Sequence, residues 1–453
     1  MSTGFDSIAQ SHLLRVLALG FLILVLHIPV SLVRGLIEER QLRRSEAVHE
    51  VSQKWGGNQV VEGPYLVVPY ELRSVETAPD GTRRVRTYPR HATFLAKDLR
   101  IDGAVEGEVR ERGIFEVPVY SGALALGGQF DPPDFSTWRV PEEQIQWDRA
   151  VLAVKITDAR AIQAPVQLRW GGRELEFEPG LGYAGALGSG IHAKIGDPRS
   201  PEAVAFESKL RLHGSGGLYV APLGAHTEVS LRSDWPHPSF QGAWLPTERS
   251  VTTGGFEAEW RVSSLGRSYP QAWTSENEPH AAVASSHFGV DFITPVDPYR
   301  LSERAAKYDL LFLGLTFLAL WLFEVLAGVR VHAVQYLLLG AAMSLFYLLL
   351  LALSEHTGVS FAYGVATAGI VTLIAGYAVA VLGRRLRGLA MGGIVASLYG
   401  YLYVLLRNED HALLVGSLGL FVVLAAVMWL TRRVDWFEQV RWTTPSEPGP
   451  VQT

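Results

Sequence analysis

The sequence predicts a membrane α-helical bundle, with one N-terminal and five C-terminal transmembrane helices, joined to a large all-β, sandwich-like extracytoplasmic domain. The distribution of long apolar runs is the first observation: one lies at 13–33, and five lie between 310 and 430. Roughly 20 apolar residues in a helix cross a hydrocarbon core about 30 Å thick. The second observation is that the long region between these runs holds only short segments of alternating polarity.

Six segments are predicted to span the membrane, each nearly free of charge in its interior: 13–33, 310–327, 333–353, 359–382, 386–406 and 412–430. A cleaved signal peptide is the alternative for the first. Its apolar stretch exceeds the roughly 7 to 15 residues of a signal core, and Ser31-Leu32-Val33-Arg34 has no small-x-small cleavage site. We therefore interpret residues 1–35 as an uncleaved anchor.

The orientation follows from the arginines of the short loops, because positive loops stay in the cytoplasm. With a cytoplasmic N-terminus, most of these arginines are cytoplasmic: Arg330, Arg384, Arg385, Arg387, Arg432, Arg433 and Arg441. A contrary cluster follows the first span, at Arg34, Arg40, Arg43 and Arg44, but it belongs to the long domain. The sequence thus predicts that the long domain lies outside the cytoplasm.

Four further regions complete the predicted organisation. Residues 36–57 form a charged helical stalk that ends at Trp55-Gly56-Gly57, and residues 58–307 form the β-rich domain. The clearest alternating runs in that domain are 65–72, 104–109, 114–120, 151–156, 174–178, 206–212, 226–231, 256–262 and 287–293. Strands at this spacing are typical of sandwiches and barrels. The five-helix bundle occupies 308–431, and the tail at 432–453 is predicted to be partly disordered.

Composition restricts the chemistry and the partners. The 453-residue chain has no cysteine and a formal net charge of −5, so disulfides and thiol chemistry are excluded. This mild acidity argues against nucleic acid as a partner. The predicted partner is the phospholipid membrane, with the arginine clusters at the inner-leaflet headgroups. A protein partner in the cell envelope stays open.

The search for catalytic motifs predicts no enzyme, no cofactor and no metal site. The segment 180–185 matches G-x-G-x-x-G, but another glycine-rich stretch follows it instead of a helix that could bind a pyrophosphate. The serines at 189 and 215 lack the G-x-S-x-G pattern, and the histidines of the domain lack metal-ligand spacing.

An aromatic, proline-rich segment in the β-rich domain is a candidate recognition loop. Prolines restrict its backbone and aromatic rings supply apolar surface: the residues are Trp235, Pro236, His237, Pro238, Phe240 and Trp244. A packed corner of the β-domain is the alternative interpretation.

Two polar groups mark the membrane region. Glu324, Arg330, His332 and Gln335 lie around the turn between the second and third spans. An ionisable group in a span needs a partner, so these residues form either a structural hairpin clasp or part of a transport or signalling site. Glu355 and His356 end the third span, where a solvated cap and a proton site are the two alternatives.

Collinear strings from about residue 50 to 363 resemble the CreD family of cell-envelope integrity proteins in the bacterial inner membrane. They include Lys54-Trp55-Gly56, Gly63-Pro64-Tyr65, Val67-Val68-Pro69-Tyr70, Trp235-Pro236-His237-Pro238-Ser239-Phe240, Pro270-Gln271-Ala272-Trp273, Arg304-Ala305-Ala306-Lys307-Tyr308 and Leu353-Ser354-Glu355-His356. The resemblance implies a multi-pass inner-membrane protein with its large domain in the periplasm. It also implies a role in envelope integrity, envelope stress, and colicin or β-lactam tolerance, with no defined ligand or catalytic residue.

The sequence leads to three hypotheses about function. The first hypothesis is a non-enzymatic contribution to envelope integrity. The second is a transporter or lipid-handling protein whose β-domain receives the substrate, although the spans show no pair of interrupted helices. The third, a membrane-embedded hydrolase, needs paired acids within the membrane, and Glu324 is the one acid available there.

Overall fold

The computed structural model describes residues 12–77, 83–183, 188–294, 297–329, 331–408 and 411–432. The chain divides into two compact units. One unit, called the membrane unit below, contains residues 1–42 and 296–453. The other, called the β-unit, contains residues 43–295. Arg330 and the tail beyond Arg432 lie outside the described residues.

The described residues form eight α-helices: α1 (His12–Trp55), α2 (His280–Ala284), α3 (Pro298–Lys307), α4 (Asp309–Ala327), α5 (Ala333–Thr357), α6 (Val359–Val381), α7 (Arg385–Arg407) and α8 (Ala412–Thr431). Six of them, α1 and α4 to α8, are long and apolar enough to cross a membrane. The prediction of one N-terminal and five C-terminal spans is therefore confirmed. The α5 helix continues to Thr357, beyond the expected end at residue 353.

Small residues bring the membrane helices close together. A methyl group at Gly388 of α7 would lie 2.5 Å from the backbone nitrogen of Val379 on α6. Gly340 of α5 is similarly close to Leu26 of α1 and Phe317 of α4. These contacts fit the expectation that glycines in the spans permit close packing, because any side chain there would force the helices apart.

The α3 helix lies within 58–307, the region that the sequence predicts to be β-rich. It begins at an N-cap, Asp297, whose side chain accepts hydrogen bonds from the backbone N–H groups of Tyr299 and Arg300. Pro298 occupies the first turn, where its missing N–H costs nothing. The helix belongs to the membrane unit rather than to the β-unit. Sequence reasoning missed it because its charged residues resemble a linker before the second span.

The described residues form sixteen β-strands: β1 (Gln59–Thr77), β2 (Arg83–Arg112), β3 (Phe115–Phe130), β4 (Val151–Ile156), β5 (Ile162–Trp170), β6 (Arg173–Glu176), β7 (Glu178–Pro179), β8 (Gly190–Lys194), β9 (Val204–Ser215), β10 (Gly217–Val220), β11 (Gly224–Ser233), β12 (Pro238–Gly242), β13 (Glu248–Thr252), β14 (Gly255–Ser263), β15 (Ala272–Thr274) and β16 (Phe288–Phe292). Every alternating run named from the sequence coincides with one or two of these strands. The all-β domain is thus confirmed.

The 30-residue strand β2 organises the sheet. Its first part pairs with β1 and β15, and its second part pairs with β3 and β11. The main strand order is β12-β16-β10-β1-β2-β3-β9-β5-β6. Most pairs are antiparallel, but β1 with β10 and β2 with β11 are parallel. One long strand therefore links the two halves of the sheet.

Aromatic side chains from the two halves meet in a shared core. The rings of Tyr120 on β3 and Phe292 on β16 are 4.9 Å apart, and those of Trp260 on β14 and Phe288 on β16 are 5.6 Å apart. Trp260, Tyr120 and Phe288 are among the largest fully buried side chains. Large rings at such distances contribute more than their buried area, so this contact stabilises the sandwich-like arrangement.

Candidate functional site

A buried ionic cluster in the membrane unit joins α1 to α4. Asp309, the first residue of α4, has no exposed surface. Its Oδ2 lies 2.6 Å from His27 Nδ1, and its Oδ1 lies 3.0 Å from Arg34 Nη2. Arg34 also donates to the backbone carbonyl of Ala306. We call His27, Arg34 and Asp309 the anchor cluster.

Local helix geometry explains the anchor cluster. His27 and Arg34 are about two helical turns apart on α1, so their side chains point to the same face. Asp309 lies at the start of α4, where the helix dipole favours a negative charge. A buried carboxylate without partners is strongly unfavourable, which explains why two nitrogen-bearing side chains converge on it.

A second polar group lies at the C-terminal end of α5. The Tyr299 hydroxyl of α3 donates to Glu355 Oε1 at 3.1 Å, and Arg40 Nε of α1 lies 3.5 Å from the same oxygen. The side chain of Glu355 is 9% exposed. His356 is exposed beside it. Glu355 is therefore held between two helices, which differs from the solvated cap considered as one alternative.

The hairpin between α4 and α5 places three of the predicted residues in two separate groups, Glu324 in one and His332 with Gln335 in the other. Glu324 accepts hydrogen bonds from the Val331 backbone N–H and the Tyr336 hydroxyl, both at 3.4 Å. His332 and Gln335 cap the start of α5: the His332 N–H donates to Gln335 Oε1 at 2.9 Å, and His332 Nδ1 accepts from the Val334 N–H at 3.2 Å. In this arrangement Tyr336 contacts Glu324, and Gln335 stabilises the start of α5.

The aromatic segment is part of the β-unit's packed structure. Pro238–Gly242 is strand β12, paired with β16, so the segment is only partly a loop, which corrects the sequence interpretation. The Trp235 indole donates to the Ile293 carbonyl at 3.1 Å. Pro236 is half-buried and His237 is exposed.

Two other rings of the segment contact the shared core. Phe240 lies edge-on to Trp260, with ring centres 5.8 Å apart, and Trp244 lies edge-on to Phe288 at the same distance. Both rings are half-buried. This geometry favours the packed-corner interpretation over a free recognition loop.

A buried carboxylate in the β-unit was missed by sequence reasoning. Glu62 is 5% exposed, and Lys155 Nζ lies 3.0 Å from its Oε1. His287 Nε2 lies 3.2 Å from the same oxygen, and the Tyr65 hydroxyl donates to Oε2 at 3.2 Å. Burial raises the pKa of Glu62, but the hydrogen bonds from His287 and Lys155 outweigh burial, and the net pKa lies below the ordinary 4.5.

The neighbouring carboxylate Glu278 is also buried. His91 Nε2 and His280 Nε2 each lie 2.7 Å from one of its oxygens. Glu62 and Glu278 line a small cavity of about 20 Å³. That volume holds about one water molecule. Among the described residues, no group of three or more His, Asp or Glu side chains is arranged to hold a metal ion.

Sequence signals for these clusters are weak. The first predicted span contains Arg15 near its start and His27 in its interior, and Asp309 lies one residue before the second span. Asp309 lies far from both of its partners in the chain: 282 positions separate it from His27 and 275 positions separate it from Arg34. Glu62 and Lys155 lie on strands whose pairing the alternating pattern cannot reveal.

Comparison with known proteins decides the family. A family model described as "Inner membrane protein CreD" matches residues 11–437. The "Inner membrane protein CreD" of Escherichia coli (strain K12) is 35% identical over 418 residues, which cover 92% of this chain and 91% of that protein. The chain belongs to the CreD family. It is therefore a polytopic inner-membrane protein, as the sequence predicts.

The anchor cluster predicts how substitutions at Asp309 and Arg34 change the free energy of unfolding of this CreD-family member. Asp309→Ala leaves Arg34 without its carboxylate and should lower the free energy of unfolding by about 3–5 kcal/mol. The double variant Asp309→Ala/Arg34→Leu removes both charges and should recover much of that loss. Thermal unfolding of each purified variant in detergent measures the loss and the recovery of stability.

The exposed pair of Lys97 and Asp131 in the β-unit provides the control, because Asp131→Asn should change stability by only about 0.5 kcal/mol. Equal destabilisation by the single and double variants would contradict the ionic role of the cluster.

The buried carboxylate of Glu62 predicts that the stability of the β-unit depends on pH. Because the folded pKa lies below 4.5, ionised Glu62 stabilises the β-unit above that pH, and the contribution disappears as pH falls through the folded pKa. Glu62→Gln should therefore lower the melting temperature at pH 7 and have a smaller effect at pH 3 to 4. Tryptophan fluorescence during heating measures this difference. The exposed Glu174→Gln variant should show little effect at either pH, and a constant deficit for Glu62→Gln would refute the assignment.

Proposed function

We propose that this CreD-family protein contributes to cell-envelope integrity and to tolerance of envelope stress, β-lactams and colicins, without catalysing a reaction. The observation that carries the proposal is the placement of ionisable side chains at the ends of the membrane helices. The anchor cluster and Glu355 lie at one set of ends, and Glu324 lies in the hairpin between α4 and α5.

The interior of the five C-terminal membrane helices supports a structural role. The sequence has no Asp, Glu, Lys, Arg or His at 310–323, 337–354, 359–381, 388–406 or 412–431. A proton- or ion-coupled carrier needs polar groups near the middle of the membrane. The paired carboxylates at the helix ends instead connect one helix to the next.

The β-unit also supports a function without catalysis. Its most buried titratable cluster, around Glu62 and Glu278, surrounds a cavity with room for about one water molecule. Enzyme sites are larger clefts that admit a substrate. The ionised groups of this cluster are already paired with one another, which suits stability better than substrate binding.

The proposed function includes a periplasmic position for the β-unit, which the short-loop arginines support. The chain has no cysteine, so single cysteines can report the position of each segment. Leu265→Cys, at a side chain that is 96% exposed in the β-unit, should react with a membrane-impermeant maleimide in spheroplasts. Arg384→Cys, between α6 and α7, should react only after lysis. The opposite labelling pattern would overturn the proposed orientation.

A complementation experiment separates the structural role from transport. Deleting the gene should increase sensitivity to β-lactams or colicins, and the native gene should restore tolerance. Glu324→Gln keeps hydrogen-bonding capacity but removes the charge, so it should restore tolerance nearly as well. A proton-coupled carrier needs a carboxyl that gains and loses a proton. Loss of tolerance with unchanged protein abundance would therefore favour the transporter hypothesis.

A further inference from the structure

The C-terminal end of α1 belongs to the β-unit and packs against its sheet. We call residues 43–55 of α1 the stalk end. Ser52 Oγ lies 2.7 Å from Ser215 Oγ on β9, and the Trp55 indole donates to the Tyr120 carbonyl on β3 at 3.3 Å. Directly after Trp55, a methyl group at Gly56 would lie 2.9 Å from the His213 carbonyl oxygen. The stalk end is thus in close contact with β3 and β9.

Trp55 lies between two nitrogen-bearing side chains. The centres of the Trp55 and His213 rings are 3.9 Å apart, with the ring planes 31° from parallel. The guanidinium carbon of Arg110 on β2 lies 3.5 Å over the centre of the Trp55 ring. Two groups this close to one ring centre would overlap on the same face, so His213 and Arg110 lie on opposite faces of Trp55. The indole therefore already has a cation on one face before His213 takes up a proton.

The hydrogen bonds of His213 fit a neutral imidazole. The side-chain amide nitrogen of Gln163 on β5 donates to His213 Nε2, and Ser121 Oγ on β3 lies 3.0 Å from His213 Nδ1. A neutral imidazole has one accepting and one donating nitrogen, so an accepting Nε2 assigns the proton to Nδ1. Protonation of Nε2 would bring two N–H donors together and would force the Gln163 amide to turn.

Burial and charge around His213 also oppose protonation. Burial lowers its pKa most, Arg110 lowers it further and Glu108 raises it, so that the net pKa lies below the ordinary 6.5. Glu108 lies 3.4 Å from Arg110 and offsets part of that cation's charge. Other charged groups on the elements around His213 are Arg211 on β9, Glu106 on β2, the pair of Asp158 and Arg160 beside Ala161, and Glu50 with its partners Lys54 and Arg112. These are four cations against three carboxylates, so they do not reverse the direction.

We propose that His213 is a pH-sensitive switch, whose neutral ring holds the stalk end against the sheet and whose protonation loosens that contact. Because the folded pKa is lowered, the neutral ring stabilises the docked stalk end above about pH 6.5. That contribution is lost as pH falls through the folded pKa. The salt bridge between Glu50 and Arg112 is exposed and contributes little, so it does not replace the stacked contact.

The inference goes beyond the proposed envelope function and does not rest on it, since it concerns the pH response of the β-unit alone. The test uses the full-length protein in lipid nanodiscs, with a single cysteine in place of Ser215. That side chain is buried and contacts Ser52 and the Gly56 carbonyl, so release of the stalk end should expose it to a maleimide.

The labelling rate is measured at pH 7.5 and pH 5.5. Dividing it by the rate of the exposed Leu265→Cys variant at the same pH removes the effect of thiol ionisation. The normalised rate should rise by about three- to tenfold at pH 5.5, because one pKa unit between the docked and released states changes their ratio tenfold.

Three substitutions in the Ser215→Cys background identify the switch. His213→Phe keeps a ring for stacking on Trp55 but cannot titrate, so the normalised rate should stay low at both pH values. Arg110→Gln removes the opposing cation and should make the rise smaller. His226→Phe, at an exposed histidine on β11, is the matched control and should keep the native rise.

A buried position away from α1 separates release of the stalk end from unfolding. Thr227→Cys on β11 should stay unreactive at both pH values, and its reaction at pH 5.5 would overturn the proposal. Equal normalised rates of Ser215→Cys at both pH values, or the full rise in the His213→Phe variant, would overturn it as well. If His213→Phe releases the stalk end at both pH values, Arg110→Gln decides: a smaller rise supports the proposal and an unchanged rise overturns it.

Discussion

The buried carboxylate of Asp309 is the constraint on which the membrane unit depends. A charge without exposed surface at the start of a membrane helix is tolerated only when it is paired, and His27 and Arg34 of α1 supply the pairing. The first span is separated from the other five by more than 250 residues, so nothing in the local sequence holds it against them. The anchor cluster provides that attachment, and the close approach of Leu26 to Gly340 supplies the matching apolar contact.

In the β-unit, one strand joins the two halves of the sheet. Because β2 continues from one half of the sheet into the other, the two halves share a covalent and hydrogen-bonded link. Tyr120, Phe288 and Trp260 then bury their rings between the halves. Glu62 is buried in the β-unit and lies 3.0 Å from Lys155, and this pair stabilises the fold.

The fold was largely predictable and the polar contacts were not. Apolar length identified all six spans, and two-residue alternation identified strands such as Val151–Ile156, because both patterns depend on local burial. The α3 helix was not predicted, since a short charged helix has no apolar run to reveal it. Glu324 was recognised as an acid that needs a partner, but its contact with Tyr336 depends on the turn geometry. Asp309 and Glu62 were missed because their partners lie far away in the chain, where periodicity carries no information.

Cysteine cross-linking between α1 and α5 tests most directly whether the anchor cluster attaches the first helix to the bundle. The chain has no cysteine, so the pair Leu26→Cys and Gly340→Cys reports one contact. Replacing Leu26 removes the methyl group that a side chain at position 340 would meet, and the Leu26→Cys single variant is the control. Mild oxidation in native membranes should join the two positions, so that protease cleavage in the β-unit leaves the fragments linked until they are reduced. Adding Asp309→Ala should markedly reduce the linked fraction at equal protein abundance. Absence of cross-linking in the native background, or an unchanged linked fraction with Asp309→Ala, would contradict the account.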